Sequence, residues 1–141
     1  THSRRIAPRV ARFEALRARG GTGEGGRRPL RPAPPMASSR LESFRAMVRR
    51  NPNNPLARFG LANEAFKAGE LEEARENYEA YLAAADDEGN AFGKLAEVLH
   101  ALGRTDDARA SFRRGIEAAR RFGHPGMAAE FEMRLEELET D

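Results

Sequence analysis

Residues recur in this chain at a spacing of 34, and that recurrence constrains the fold more than any other feature. Leu61-Ala62 returns as Leu95-Ala96, Gly69 as Gly103, Ala74 as Ala108, Arg75 as Arg109 and Tyr78 as Phe112. Counting back from Tyr78 reaches Phe44, and Val48, Leu82 and Ile116 form a second series. One shared leucine or glycine would mean little. Small, aromatic and turn residues agreeing in one register mean a supersecondary unit built more than once.

Each unit reads as two antiparallel helices. Leu56, Phe59, Leu61, Ala62, Ala65 and Phe66 fall on one helical face, and Gly69 supplies the left-handed residue that ends a helix. Glu70-Leu71-Glu72-Glu73 opens the next helix with carboxylates at its positive end, and Leu71, Ala74, Tyr78, Tyr81 and Leu82 continue its buried face. Small Ala62 and Ala74 stand where the two helices approach closely. The same events follow with Phe92, Leu95, Ala96 and Leu99, a stop at Leu102-Gly103, an expected cap at Thr105 with Asp106 and Asp107 in the first turn, then Ala108, Phe112 and Ile116. Ahead of these, Ser38 or Ser39 is expected to cap a helix bearing Leu41, Phe44, Met47 and Val48 that ends at Arg50. After Gly123-His124-Pro125-Gly126 a last helix carries Met127, Phe131, Leu135 and Leu138 on one stripe, with Glu130, Glu132, Glu136, Glu137 and Glu139 elsewhere.

Over residues 38–122 the chain resembles the tetratricopeptide repeat family. Leu61-Ala62, Ala74 and Tyr78 fit its pattern in one repeat, and Phe92, Leu95-Ala96, Ala108 and Phe112 fit it in the next. Ala replaces the usual Gly in both, Arg58 replaces the first aromatic with Phe59 beside it, and Asp86 and Arg120 stand where the closing Pro would be. The resemblance implies an all-α fold, a short right-handed helix-turn-helix solenoid. It would hold two full repeats (54–86 and 88–122), a preceding half repeat (38–50) lacking its first helix, and a C-terminal capping helix (125–140) with a polar outer face.

It also implies a non-catalytic protein-protein interaction module, an adaptor that holds a peptide or partner helix in the concave groove of the first helices. The candidate groove residues are Phe59, Asn63, Phe66 and Lys67, then Gly93, Lys94, Glu97 and His100. Phe44, Leu61, Ala62, Gly69, Ala74, Tyr78, Leu95, Ala96, Gly103, Ala108 and Phe112 define the repeat itself. Asn63 is the most informative, because a mid-helix Asn costs propensity and its amide bonds both donors and acceptors of an extended backbone. Phe59 and Phe66 read first as packing and only then as contacts. Family members that clamp a C-terminal carboxylate place Lys and Asn one helical turn apart. Phe59 takes the place of that Lys, so the groove is expected to mix apolar, amide and charged contacts.

The charge is unevenly placed. Residues 1–35 hold nine Arg against two Glu, leaving 15 basic and 20 acidic residues in 36–141. An anionic partner would therefore meet the first 35 residues and not the domain, which ranks nucleic-acid binding third among the functions and gives no reason for a membrane partner. Self-association through the unpaired first helix, at Leu41 and Met47, ranks second and allows a homodimer. Residues 1–35, which include the helix-breaking stretch GGTGEGGRRPLRPAPP, are expected to be a disordered Arg/Gly/Pro-rich tail or an over-extended start, with Met36 as the true first residue of a domain over 36–141. Upstream of that stretch Ile6, Val10, Phe13 and Leu16 recur at helical spacing among arginines.

With no cysteine there are no disulfides, thiol nucleophiles or thiolate metal sites. No apolar run is long enough to span a bilayer, so a cytoplasmic protein is expected. Arg outnumbers Lys 22 to 2, as the coding bias of a GC-rich bacterial genome would give. His2, His100 and His124 share no helical face, Asp86-Asp87-Glu88 lacks the glycine and spacing of a calcium loop, and the run of glycines from Gly20 to Gly26 lacks a phosphate cradle's context. No catalysis, metal or cofactor is therefore expected.

Overall fold

The computed structural model describes residues 37–140. The expectations for residues 1–35 and for Met36 lie outside them. Six α-helices make up the described residues, with no strand among them: α1 (Ala37–Arg50), α2 (Pro55–Ala68), α3 (Leu71–Ala84), α4 (Asn90–Ala101), α5 (Thr105–Arg121) and α6 (Pro125–Glu139).

Local chemistry sets the helix ends. Asn54 caps α2, its side chain accepting from the Leu56 amide at 3.0 Å, and Pro55 follows where no amide is needed. At the other end Gly69 takes φ +81°, which lets the Glu70 amide reach back to the Ala65 carbonyl at 2.8 Å. Gly103 repeats this at φ +82°, with Arg104 bonded to the Leu99 carbonyl. The α4 start is capped from the preceding loop, where Asp87 accepts from the Gly89 and Ala91 amides at 2.8 Å each.

Two expected caps are corrected. α5 begins at Thr105 itself, so Thr105 is its first helical residue; the cap position falls on Arg104, which makes no side-chain cap bond. α1 begins at Ala37, which puts Ser38 and Ser39 inside its first turn.

Each helix packs on its successor, α2 with α3 and α4 with α5 most extensively of the repeat units. Tyr78 and Phe112 are sealed in the core, as are Ala62, Ala74, Ala96 and Ala108. One apolar cluster runs from Leu41 in α1 to Leu138 in α6, and a second, of Ile116, Ala119 and Ala128, lies between α5 and α6, with Phe131 and Leu135 packed against both.

Aromatic rings seated on glycines fasten the two end helices. Phe44 of α1 lies against Gly60 of α2. Phe131 of α6 sits between Gly93 of α4 and Gly115 of α5, with its ring 5.6 Å from that of Phe112. Glycine there is a matter of room, since a methyl group at either place would overlap the ring.

Candidate partner-binding groove

The first helices α2 and α4 share a face on which two clefts meet. One, of about 420 Å³, runs between α1 and α2 and is walled by Arg40, Phe44, Asn63, Glu64, Phe66 and Lys67, with Lys94 reaching across from α4. The other, of about 490 Å³, lies between α4 and α6, walled by Phe66, Lys94, Glu97, Phe131, Met133 and Arg134. Phe66 and Lys94 belong to both clefts. A further cleft lies on the side of α3 and α5 and contains none of the eight candidate groove residues.

The two clefts differ in charge. Around the first stand Arg40, Lys67 and Lys94 with one carboxylate, Glu64, whose side chain is only 5% exposed. Arg40 approaches Glu64 at 3.4 Å and Lys67 at 3.3 Å, both from largely exposed positions. The buried charge is thus compensated from the rim and not from within, leaving the cleft net basic. Around the second, Glu97, Glu130 and Glu137 face Lys94 and Arg134. Arg134 holds Glu97 with two bonds of 2.8 Å, and that carboxylate raises the Arg134 guanidinium above the ordinary arginine value. Lys94 has no ion-pair partner among the described residues.

Asn63 is engaged from below. The Tyr78 hydroxyl donates to its side-chain oxygen at 2.5 Å. Burial pushes the Tyr78 hydroxyl well above its ordinary pKa, so it remains a donor throughout the physiological range. With the oxygen so held, the amide NH2 of Asn63 is the part left for the cleft.

Six of the eight residues chosen from the sequence line the two clefts: Asn63, Phe66, Lys67, Gly93, Lys94 and Glu97. Gly93 was expected on the exposed side of its helix; it is buried beneath Phe131 and supplies floor, not contact surface. Phe59 is a packing residue, its ring tilted against Tyr81 at 4.8 Å and edge-on to Tyr78. His100 lines neither cleft, and its Nδ1 is buried without a hydrogen-bond partner.

Sequence reasoning missed Arg40, Glu64 and the whole α6 wall. The wall had a signal, because the 34-residue register carries α4 onto α6 and makes α6 a first helix. Glu64 had none, since its burial depends on how α1 crosses α2.

The tetratricopeptide repeat model matches residues 41–88 and 59–122. The chain belongs to the tetratricopeptide repeat family. Among solved structures this tetratricopeptide repeat chain is similar in fold to the crystal structure of MamA, with a TM-score of 0.55 at 19% identity over 74% of this chain and 69% of that one. No curated protein matches it. Tetratricopeptide repeats generally mediate protein-protein interaction and are typically non-enzymatic scaffolds. Among the described residues no group of three or more His, Cys, Asp or Glu is placed to hold a metal ion, and no helix is long and apolar enough to cross a membrane.

Proposed function

We propose that this chain is a non-catalytic adaptor that holds a peptide or partner helix along the groove of α2, α4 and α6. The continuity of the two clefts through Phe66 and Lys94 carries this reading. Phe44, Phe66 and Phe131 offer apolar anchorage, Asn63 an amide donor, and the charges change sign along the groove. Apolar contacts of this kind supply affinity, while opposed charges fix direction. A peptide with its acidic end over α2 and its basic end over α6 matches that polarity.

Within this reading α1 is the second helix of an incomplete repeat and α6 is the cap, with the domain spanning 36–141. The lack of cysteine supports a cytoplasmic setting.

Selection of a displayed random-peptide library against the full chain, followed by titration of the enriched peptides, tests the proposal. Lys94→Glu is the cleanest variant, because Lys94 lies in both clefts and its replacement breaks no ion pair in the described structure. Binding should weaken roughly tenfold or more while helix content stays unchanged. Peptides that bind the variant as tightly as the natural chain would show that the groove is not the site.

A further inference from the structure

The two end helices of the described array are halves of one unit. α1 stands in the register of the second helices α3 and α5, and α6 in the register of the first helices α2 and α4. Each lacks its partner helix among the described residues, and no described helix covers the faces concerned. On α1, Phe44 is half-buried where its counterparts Tyr78 and Phe112 are sealed, and Ser43 and Met47 are exposed. On α6, Ala129, Glu130 and Met133 are exposed, where α2 buries Leu61, Ala62 and Ala65 and α4 buries Leu95, Ala96 and Leu99.

The departures from the repeat at these two faces complement one another. In each complete pair the close approach of the helices is made by alanines, Ala62 and Ala74 in one, Ala96 and Ala108 in the other, all fully buried. Cross-helix bonds from Arg58 to Asn77 and from Tyr78 to Asn63 bracket the first of these approaches. The 34-residue register places Arg40 at the position of Ala74 and Ala108, and Glu130 at that of Ala62 and Ala96. Small residues have given way to a cation on one end and an anion on the other. Glu130 has no ion-pair partner among the described residues; Arg40 touches Glu64 at 3.4 Å but keeps 64% of its side chain exposed.

Two further features agree. Ser43 stands in the register of Ser111, whose hydroxyl ties α5 to α4 by donating to the Phe92 carbonyl at 2.8 Å, and the residue in the register of Phe92 on α6 is Gly126. The helices are also opposite in charge, four Arg against Glu42 on α1 and five Glu against Arg134 on α6.

We propose that a second copy of this chain covers the open face of α1 with its own α6, head to tail, so that Arg40 of one copy pairs with Glu130 of the next. In this contact α6 of one copy and α1 of the next pair as the first and second helices of one repeat. Because the two faces are different, the contact is heterologous, and successive copies extend an open chain instead of closing as a dimer. Leu41, expected from the sequence to serve self-association, is buried inside its own chain and takes no part.

Sedimentation velocity on the full chain from micromolar to millimolar concentration tests this. The mean mass should rise continuously beyond the dimer and fall as salt screens the charge pair. Glu130→Arg, at an exposed position with no partner to lose, should weaken association roughly tenfold or more, as like charges brought together do. Arg40→Glu should do the same, and an equimolar mixture of the two variants should recover growth, since each altered end then meets its opposite. Circular dichroism checks that both variants keep their helix content. A chain that stays monomeric overturns the proposal and leaves the face to another protein or to residues 1–36. Mass that stops at the dimer, or growth that neither variant alters, overturns it too. Arg40 and Glu130 also border the two clefts, so Lys94→Glu, which lies at neither end, tells the two readings apart: it should weaken peptide binding and leave self-association unchanged.

Discussion

Phe131 decides the fit of α6, and it does so because two neighbours are glycine. A Cβ at Gly93 would come within 2.5 Å of the ring's Cζ, and one at Gly115 within 3.0 Å of Cδ2. In an open helix Gly→Ala gains about 1 kcal/mol of propensity. Here the overlap wins, because the ring is packed on Phe112 and between Gly93 and Gly115, and moving it would give up those contacts. Gly93→Ala should therefore destabilise the protein by about 1–2 kcal/mol in urea unfolding, on the scale of other overpacked cores. A gain in stability would mean that the ring has room. Tyr78→Phe tests the other buried contact of the groove. It removes the donor to Asn63 without opening a cavity, so the loss should be about 1 kcal/mol in thermal unfolding, and no loss would show that the bond is not formed. Asn63 was legible from the sequence as a polar residue out of place in mid-helix. Its engagement by Tyr78 was not, because a contact 15 residues apart depends on the crossing of α2 and α3.

Between elements, a two-bond polar tie runs from α1 across to α3. Arg45 grips Glu73 with two bonds, 2.8 Å from Nε and 2.7 Å from Nη2, and both side chains are mostly covered. Arg45 holds the Glu73 carboxyl below its ordinary value near 4.5. A depressed carboxylate contributes stability that is fully present above its unfolded value and disappears as pH falls through the folded one. Glu73→Gln should cost about 1 kcal/mol at neutral pH, the upper range for partly exposed pairs. That difference should shrink below about pH 4.5 in denaturant titrations; a difference constant with pH would remove the ion pair as its cause. The helices themselves were readable, since apolar spacing and the turn glycines Gly69 and Gly103 are local signals. The caps at Thr105 and at Ser38 or Ser39 were misread because α5 starts without a side-chain cap and α1 starts at Ala37, ahead of both serines, while the loop carboxylate that does cap, Asp87, looked like part of a charge cluster.

Across the whole molecule, stability should pass only between neighbours, as it does in stacked repeats. α6 is where this can be tested, since it closes the core over α5: Phe131 packs on Phe112, while Met127, Phe131 and Leu135 cover Ile116 and Ala119. Polar ties add to it, with Arg109 donating to the Leu138 carbonyl at 2.9 Å and Arg113 to Glu139 at 3.0 Å. A chain ending after Gly123 would uncover all of these groups at once. Phe112, 1% exposed in the full array, would face water, and α5 would keep only its packing on α4. Helix content should then drop by more than the share of α6, because α5 frays as well. Amide hydrogen exchange should show lost protection at Phe112 and Ile116, with protection kept at Tyr78 and Leu61, two and three helices further from the cut. If protection fell equally at all four residues, the core would act as one cooperative unit, and the repeats would have lost the independence that their 34-residue spacing predicts.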